Sequence, residues 1–256
     1  MALFKTSNPA LSDKTFRDLS NNQYGGIIDA TDRMTLNGTI HKTGILLVCS
    51  MLTAMWTWTQ FMQTRDVASV TPWLMLGLFG GLIFSFITVF KMQWAPVTAP
   101  VYALLEGLAL GGISAFLQLR YPGIAIQAVG LTFGTLFVML FLYRTRIIPV
   151  TQGFRIGVVA ATGAIALFYV AQILLGFFGV QFMSINGSGL VGIGFSLVVV
   201  AVAALNLVLD FDLIERGVNS GAPRYMEWYC AFGIMVTLVW LYLEILNLLS
   251  KMRSRN

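Results

Sequence analysis

Charge is what this sequence has least of. Only 11% of its 256 residues are Asp, Glu, Lys or Arg, less than half of the roughly 25% usual in a soluble domain. With 57% of the chain hydrophobic, water cannot be its main solvent, and a soluble domain is excluded. Cysteine is scarce too: Cys49 and Cys230 both lie in apolar stretches, and two such thiols make neither a disulfide framework nor a Cys-x-x-Cys site. The single histidine, His41, rules out the His-Glu-x-x-His helix of a zinc protease. Gly187-Ser188-Gly189 has no membrane histidine, and no lysine at a span centre, to serve as a base, so a serine nucleophile is not expected. An aspartyl mechanism would need two facing acids and a water, a role open only to Asp210 and Glu244; enzymatic activity is not expected. The net charge of +5 comes without any Lys/Arg cluster interleaved with aromatics, so no nucleic acid is expected as a partner. No nucleotide-binding motif appears that would drive a pump, and no cofactor is implied.

What the sequence does have is long apolar runs. A hydrocarbon core about 30 Å thick needs roughly 20 apolar residues per helical crossing. Seven such runs lie near Thr43–Met62, Pro72–Phe90, Thr98–Leu119, Gly123–Leu142, Ile156–Val180, Gly187–Leu209 and Trp228–Leu249. Short breaks of charge, Pro or Gly separate them, so the expected fold is an all-α membrane protein, a seven-helix bundle in one domain embedded in the lipid bilayer. Residues 1–42 form a polar N-terminal tail without the apolar segment of a signal peptide, residues 43–250 the transmembrane domain, and residues 251–256 a short basic C-tail. Ser12-Asp13 is placed to cap a short helix through Leu19, a docking element for a partner. Trp73, Trp94, Tyr121, Tyr143, Tyr225 and Trp228 fall at run ends, where an amphipathic ring keeps its polar edge in the headgroup layer.

Cytoplasmic loops collect Lys and Arg. With the tail inside, the inner side holds Lys5, Lys14, Arg17, Arg33, Lys42, Lys91, Arg144, Arg146, Arg155, Arg216 and Arg224, and the outer side Arg65, Arg120, Lys251, Arg253 and Arg255. The bias places the N-terminus in the cytoplasm. The basic C-tail runs against it, unless the last segment is re-entrant. The glycine pairs Gly77/Gly81, Gly107/Gly111, Gly130/Gly134 and Gly153/Gly157 have the spacing that lets helix backbones approach.

Ionisable groups inside spans are costly enough to mark function. Glu106 lies in the middle of the third run, Asp210 and Asp212 at the end of the sixth, and Glu244 deep in the seventh. Glu215 and Glu227 read as ordinary solvated loop acids. Asn206 precedes Asp210 by one turn and Asn247 follows Glu244 by three residues, so each acid has an amide on its own face. If the sixth and seventh runs pack together, two carboxylates share a low-dielectric space in which double ionisation is disfavoured, and the pair holds one proton. Losing it would part the helices or leave an oxygen site for a hard cation such as calcium. Alternatively, Asp210 and Asp212 cap a helix at the headgroups while Glu244 pairs with a basic residue or stays protonated. Arg155 is placed to meet lipid phosphate, a loop carboxylate or the Asp210–Asp212 mouth. His41 is an interfacial residue with an ordinary or a pH-sensing role.

Tyr102-Ala-Leu-Leu-Glu-Gly-Leu108, Asn206-Leu-Val-Leu-Asp-Phe-Asp-Leu-Ile-Glu215, Tyr225-Met-Glu-Trp-Tyr229 and Leu241-Tyr-Leu-Glu-Ile-Leu-Asn247 resemble the Bax inhibitor family, the transmembrane Bax-inhibitor-motif proteins, in a bacterial branch; Ser7-Asn-Pro-Ala-Leu11 adds a branch-like opening. The resemblance implies a seven-helix bundle with the last helix central and buried. It further implies a pH-sensitive calcium leak across the bacterial inner membrane, gated by acids that fall on Asp210 and Glu244, the transient calcium ligands. Asp212 and Glu106 are auxiliary acids, and Asn206, Asn247 and Arg155 supporting polar residues. The family commonly has Asp-Thr-Gln where this chain has Asp210-Phe-Asp212, and Asp where it has Glu244. Asp212 is therefore a rival partner for Glu244. The resemblance also admits a regulatory protein that acts on a membrane partner such as a protease, and a proton-coupled cation exchanger remains a third reading.

Overall fold

The computed structural model describes residues 32–178 and 187–255. The chain forms seven long helices: α1 (Leu36–Thr64), α2 (Val67–Phe90), α3 (Ala95–Arg120), α4 (Ile124–Arg144), α5 (Gln152–Phe177), α6 (Leu190–Asn219) and α7 (Met226–Arg255). All seven are long and apolar enough to cross a membrane. The proposed opening motif and the Ser12-Asp13 cap lie outside the described residues.

Local chemistry sets the helix ends. Thr35 caps α1, its hydroxyl accepting from Gly38 N at 3.0 Å, and Arg65 closes the helix in the left-handed region at φ 51°. One residue on, Asp66 caps α2 through Ala68 N, so a hairpin needs only two residues between helices. Thr151 caps α5 through Phe154 N. These caps supply acceptors to amides that hydrocarbon would leave unpaired. Both ends of the expected domain boundaries shift: α1 begins at Leu36, inside the expected tail, and α7 continues through Arg255, absorbing the expected C-tail.

Helix α7 is the axis. It packs on α1, α3, α4 and α6, and 67% of its apolar window is buried, against 11% for α5. Tyr229, Phe232, Met235, Leu241 and Leu246 fill the centre, with Tyr102 meeting Phe232 edge-on at 4.9 Å between ring centroids. Thirty residues at 1.5 Å rise give about 45 Å, so α7 is long enough to cross completely. It starts beside the start of α1, where Thr35 N donates to Glu227 at 2.8 Å. It ends beside the first turns of α6, where Lys251 donates to Ser196 at 2.9 Å. The two chain ends described therefore lie at opposite ends of the bundle, and the last segment is one continuous helix.

Lipid tails are as apolar as leucine, so helices in a bilayer associate through close packing and polar contacts. Helix α3 supplies the packing. A Cβ on Gly77 of α2 would sit 2.6 Å from the Leu105 carbonyl oxygen and 2.7 Å from Ala109 N, while Gly107 and Gly111 of α3 press on Ser50, Thr53 and Ala54 of α1. The other two expected pairs behave differently: added Cβ atoms at Gly130, Gly134, Gly153 and Gly157 would meet nothing within 4 Å. Those four glycines make no helix contact.

Candidate functional site

The polar contacts gather on the other side of α7, where α5, α6 and α7 meet. Arg155 of α5 holds Asp212 of α6 at 2.9 Å, and Arg216 reaches the same carboxylate at 3.0 Å. Deeper in, Thr237 of α7 donates to Asp210 Oδ2 at 2.6 Å. Next, Asn206 Nδ2 donates to Thr162 Oγ1 of α5 at 2.8 Å and to the Val202 carbonyl at 2.8 Å. Then Tyr169 of α5 donates its hydroxyl to Glu244 Oε1 at 2.6 Å. At the far end Lys251 Nζ donates to Ser196 Oγ at 2.9 Å and to the Gly192 carbonyl at 3.3 Å. These rungs run from Asp212 to Ser196 along α6, about 24 Å at 1.5 Å per residue, most of a hydrocarbon core.

The spacing explains why the rungs stack. Arg155, Thr162 and Tyr169 on α5, and Thr237, Glu244 and Lys251 on α7, each recur at seven residues, and α6 meets them with Ser196, Asn206, Asp210 and Asp212. Seven steps of about 100° fall about 20° short of two turns, so each set stays on one face. Hydrocarbon offers these groups no other hydrogen-bond partner, which draws the three faces together.

The structure buries both principal acids, Asp210 at 1% exposure and Glu244 at 7%, but joins them through no hydrogen bond. Asp210 takes the hydroxyl of Thr237, which precedes Glu244 by seven residues, about 10 Å along α7. Glu244 Oε2 is buried with no hydrogen-bond partner among the described residues. Asp210 and Glu244 thus stand on two separate rungs, one with Thr237 and the other with Tyr169. Asp212 is not the partner of Glu244 either, since its charge is met by Arg155 and Arg216. Arg155 thus faces Asp212 and not lipid phosphate.

Glu106 faces α2, with Oε2 2.8 Å from where a Gly81 Cβ would lie, and belongs to the α2–α3 contact instead of the seam. Asn206 is a rung, buried at 4%. Asn247 is exposed and forms no side-chain hydrogen bond with Glu244, so its expected supporting role is not met: three residues on from Glu244, it has turned off the buried face. His41 is exposed on the second turn of α1. Glu215 is exposed, as expected, and accepts from the Tyr143 hydroxyl.

Sequence reasoning missed two charged residues. Glu227 is no solvated loop acid: it is 3% exposed, paired with Lys42, and accepts from both N and Oγ1 of Thr35 at 2.8 Å. Lys251 is no tail cation, being 7% exposed in the last rung. The signal for Lys251 was its seven-residue spacing from Glu244. For Glu227 only the long-range return of the chain start reveals the partner.

Among the described residues no group of three or more His, Cys, Asp or Glu side chains converges on a metal position. Asp210 and Glu244 each lie beside one hydroxyl, of Thr237 and Tyr169, and Asp212 lies between two arginines. A separate cavity of about 410 Å³ lies between α1, α3, α4 and α7, lined by Leu47, Gly111, Val129 and Leu238 among others. None of the seam's acids lines it.

Seven apolar helices, the last of them buried among the others, with a polar seam at membrane depth, define an integral membrane protein of the all-α polytopic class. The family described as Bax inhibitor 1 like matches residues 8–254. The chain belongs to that family. No curated protein and no solved structure matches it.

Proposed function

We propose that this protein is a pH-sensitive cation leak, with calcium as the favoured ion, and that the α5–α6–α7 seam is its path. The observation that carries the reading is Glu244, a carboxylate buried at 7% exposure in the central helix, with one oxygen held by Tyr169 and the other without a hydrogen-bond partner. A carboxylate inside a membrane is expensive, and its protonation state changes what the seam tolerates. Protonated, it is neutral and the seam stays shut. Ionised, it calls for water or a cation at Oε2. The wall that can yield is α5, which packs appreciably only on α6 and is the least buried helix.

Calcium takes six to eight oxygens. Glu244 with Tyr169, or Asp210 with Thr237, supplies only a fraction of these, so water must complete the shell and the ion passes without being stored. Such weak transit fits a leak. We place the N-terminus in the cytoplasm of a bacterial inner membrane, on the bias of Lys and Arg toward the side of Thr35.

The test is calcium flux into liposomes containing the purified protein across a pH series, with wild type, Asp210→Asn and Glu244→Gln. The expected result is a pH-dependent flux whose pH sensitivity is lost in Glu244→Gln and weakened in Asp210→Asn. Calcium movement driven by an imposed pH gradient alone would reassign the protein as an exchanger. No flux above empty liposomes at any pH would discard the leak.

A further inference from the structure

Lys251 is the seam's last rung and its only cation on α7 inside the described ladder. It lies on the same face as Glu244, seven residues on, and is buried at 7% exposure. Its ammonium is fixed against α6 by Ser196 Oγ at 2.9 Å and the Gly192 carbonyl at 3.3 Å. From the opposite end, Arg155 and Arg216 are already matched to Asp212. Among the described residues, the seam groups near Lys251 include Glu244 on its own helix and Tyr169 on α5, and the α6 groups Ser196 and Gly192 accept from it.

We propose that Lys251 is the specificity-determining charge gate of this path: a fixed positive charge seven residues, about 10 Å of helix rise, beyond Glu244, past which a cation must move to reach or leave that carboxylate. This rests on the leak reading. The physical consequence is graded by valence, because the Coulomb energy of an ion passing a fixed charge scales with the ion's own charge. Calcium meets twice the barrier that potassium meets. Lys251 therefore keeps the divalent leak slow while leaving monovalent passage less restricted.

The experiment measures calcium, potassium and neutral glycerol fluxes in liposomes for wild type, Lys251→Met and Lys251→Arg, at a pH where wild type conducts. At an effective dielectric near 20, a unit charge across about 10 Å changes a monovalent flux roughly tenfold, and a divalent flux by roughly the square of that factor. The expected result is that Lys251→Met raises potassium flux roughly tenfold and calcium flux by about the square of whatever the potassium factor is, with glycerol unchanged and Lys251→Arg close to wild type. Lys251→Gln, which keeps a donor for Ser196 while removing the charge, is read in the same way if the Met variant does not fold. Equal rises for calcium, potassium and glycerol would mean a structural opening and overturn the gate, as would unchanged fluxes in a conducting wild-type background. Absence of flux in wild type and in every variant would overturn the leak itself, a failure distinct from a conducting wild type indifferent to Lys251.

Discussion

Helices α1 to α3 and helices α5 to α7 sit in the same membrane and are joined by opposite means. In the first group, Gly77, Gly107 and Gly111 let backbones approach until no Cβ would fit, and the contacts are between small groups and main chain. In the second, long polar side chains bridge the helices through Asp212, Asp210, Asn206, Glu244 and Lys251, while α5 remains the least buried helix. Backbone-to-backbone packing is stiff, because it has no side chain to rearrange. A ladder of hydrogen bonds to hydroxyls and charges can be exchanged for water rung by rung, each net bond in a membrane being worth only about 1 kcal/mol. The first group is thus a frame and the second a seam held by exchangeable side-chain contacts. Helix α7 belongs to both, facing α1 and α3 on one side and α6 on the other.

That contrast can be attacked at graded points. The largest effect is expected from Gly107→Leu, whose side chain would fall on the Ser50 carbonyl and Thr53; thermal or denaturant unfolding in detergent should show a loss of more than about 3 kcal/mol. Gly157→Leu on α5, where a Cβ meets nothing within 4 Å, should stay within about 0.5 kcal/mol in the same assay. Comparable losses at both positions would erase the distinction between frame and seam.

Lys42→Met comes next. It leaves Glu227 buried without its cation, for a loss of about 2 to 3 kcal/mol, most of it recovered when Glu227→Gln is added. A double variant no better than the single one would show that the pair is not coupled.

In the seam, Arg155→Ala strips Asp212 of one of two arginines and should cost about 2 kcal/mol, since Arg216 remains. Calcium flux should rise in the same variant, because the α5–α6 contact at that end is released. Stability lost with flux unchanged would detach Arg155 from the gate. Tyr169→Phe removes one hydroxyl from Glu244 and should cost only about 1 kcal/mol.

Much of the fold could be read from the chain, because hydrocarbon length and apolar runs are matched by simple physics. Seven crossings and the burial of Asp210, Asn206 and Glu244 need only a polar residue in an apolar stretch to be noticed. Other features depend on who returns to meet whom. Glu227 looks like a headgroup acid until the start of α1, 192 residues earlier, brings Thr35 onto it. Lys251 looks like a tail because charge usually ends a span, whereas here α7 continues to Arg255 and Ser196 receives the ammonium. Asn247 failed the opposite way, being near Glu244 in sequence yet exposed. The glycine pairs divided for a related reason: spacing permits close approach, but only a facing helix realises it, and Gly153 and Gly157 face none.

The most direct test of the account is to tie α5 to α6. Phe168 and Phe195 pack with ring centroids 5.1 Å apart, beside the Tyr169 that holds Glu244, so cysteines at these two positions, with Cys49 and Cys230 replaced by alanine, can be joined by a short thiol-reactive linker in liposomes. The account predicts that calcium flux at a conducting pH falls to the level of empty liposomes once the linker is in place, while the same cysteine variant without linker still conducts. Undiminished flux through the cross-linked protein would contradict it, since the wall assigned to move would then be fixed while ions still pass.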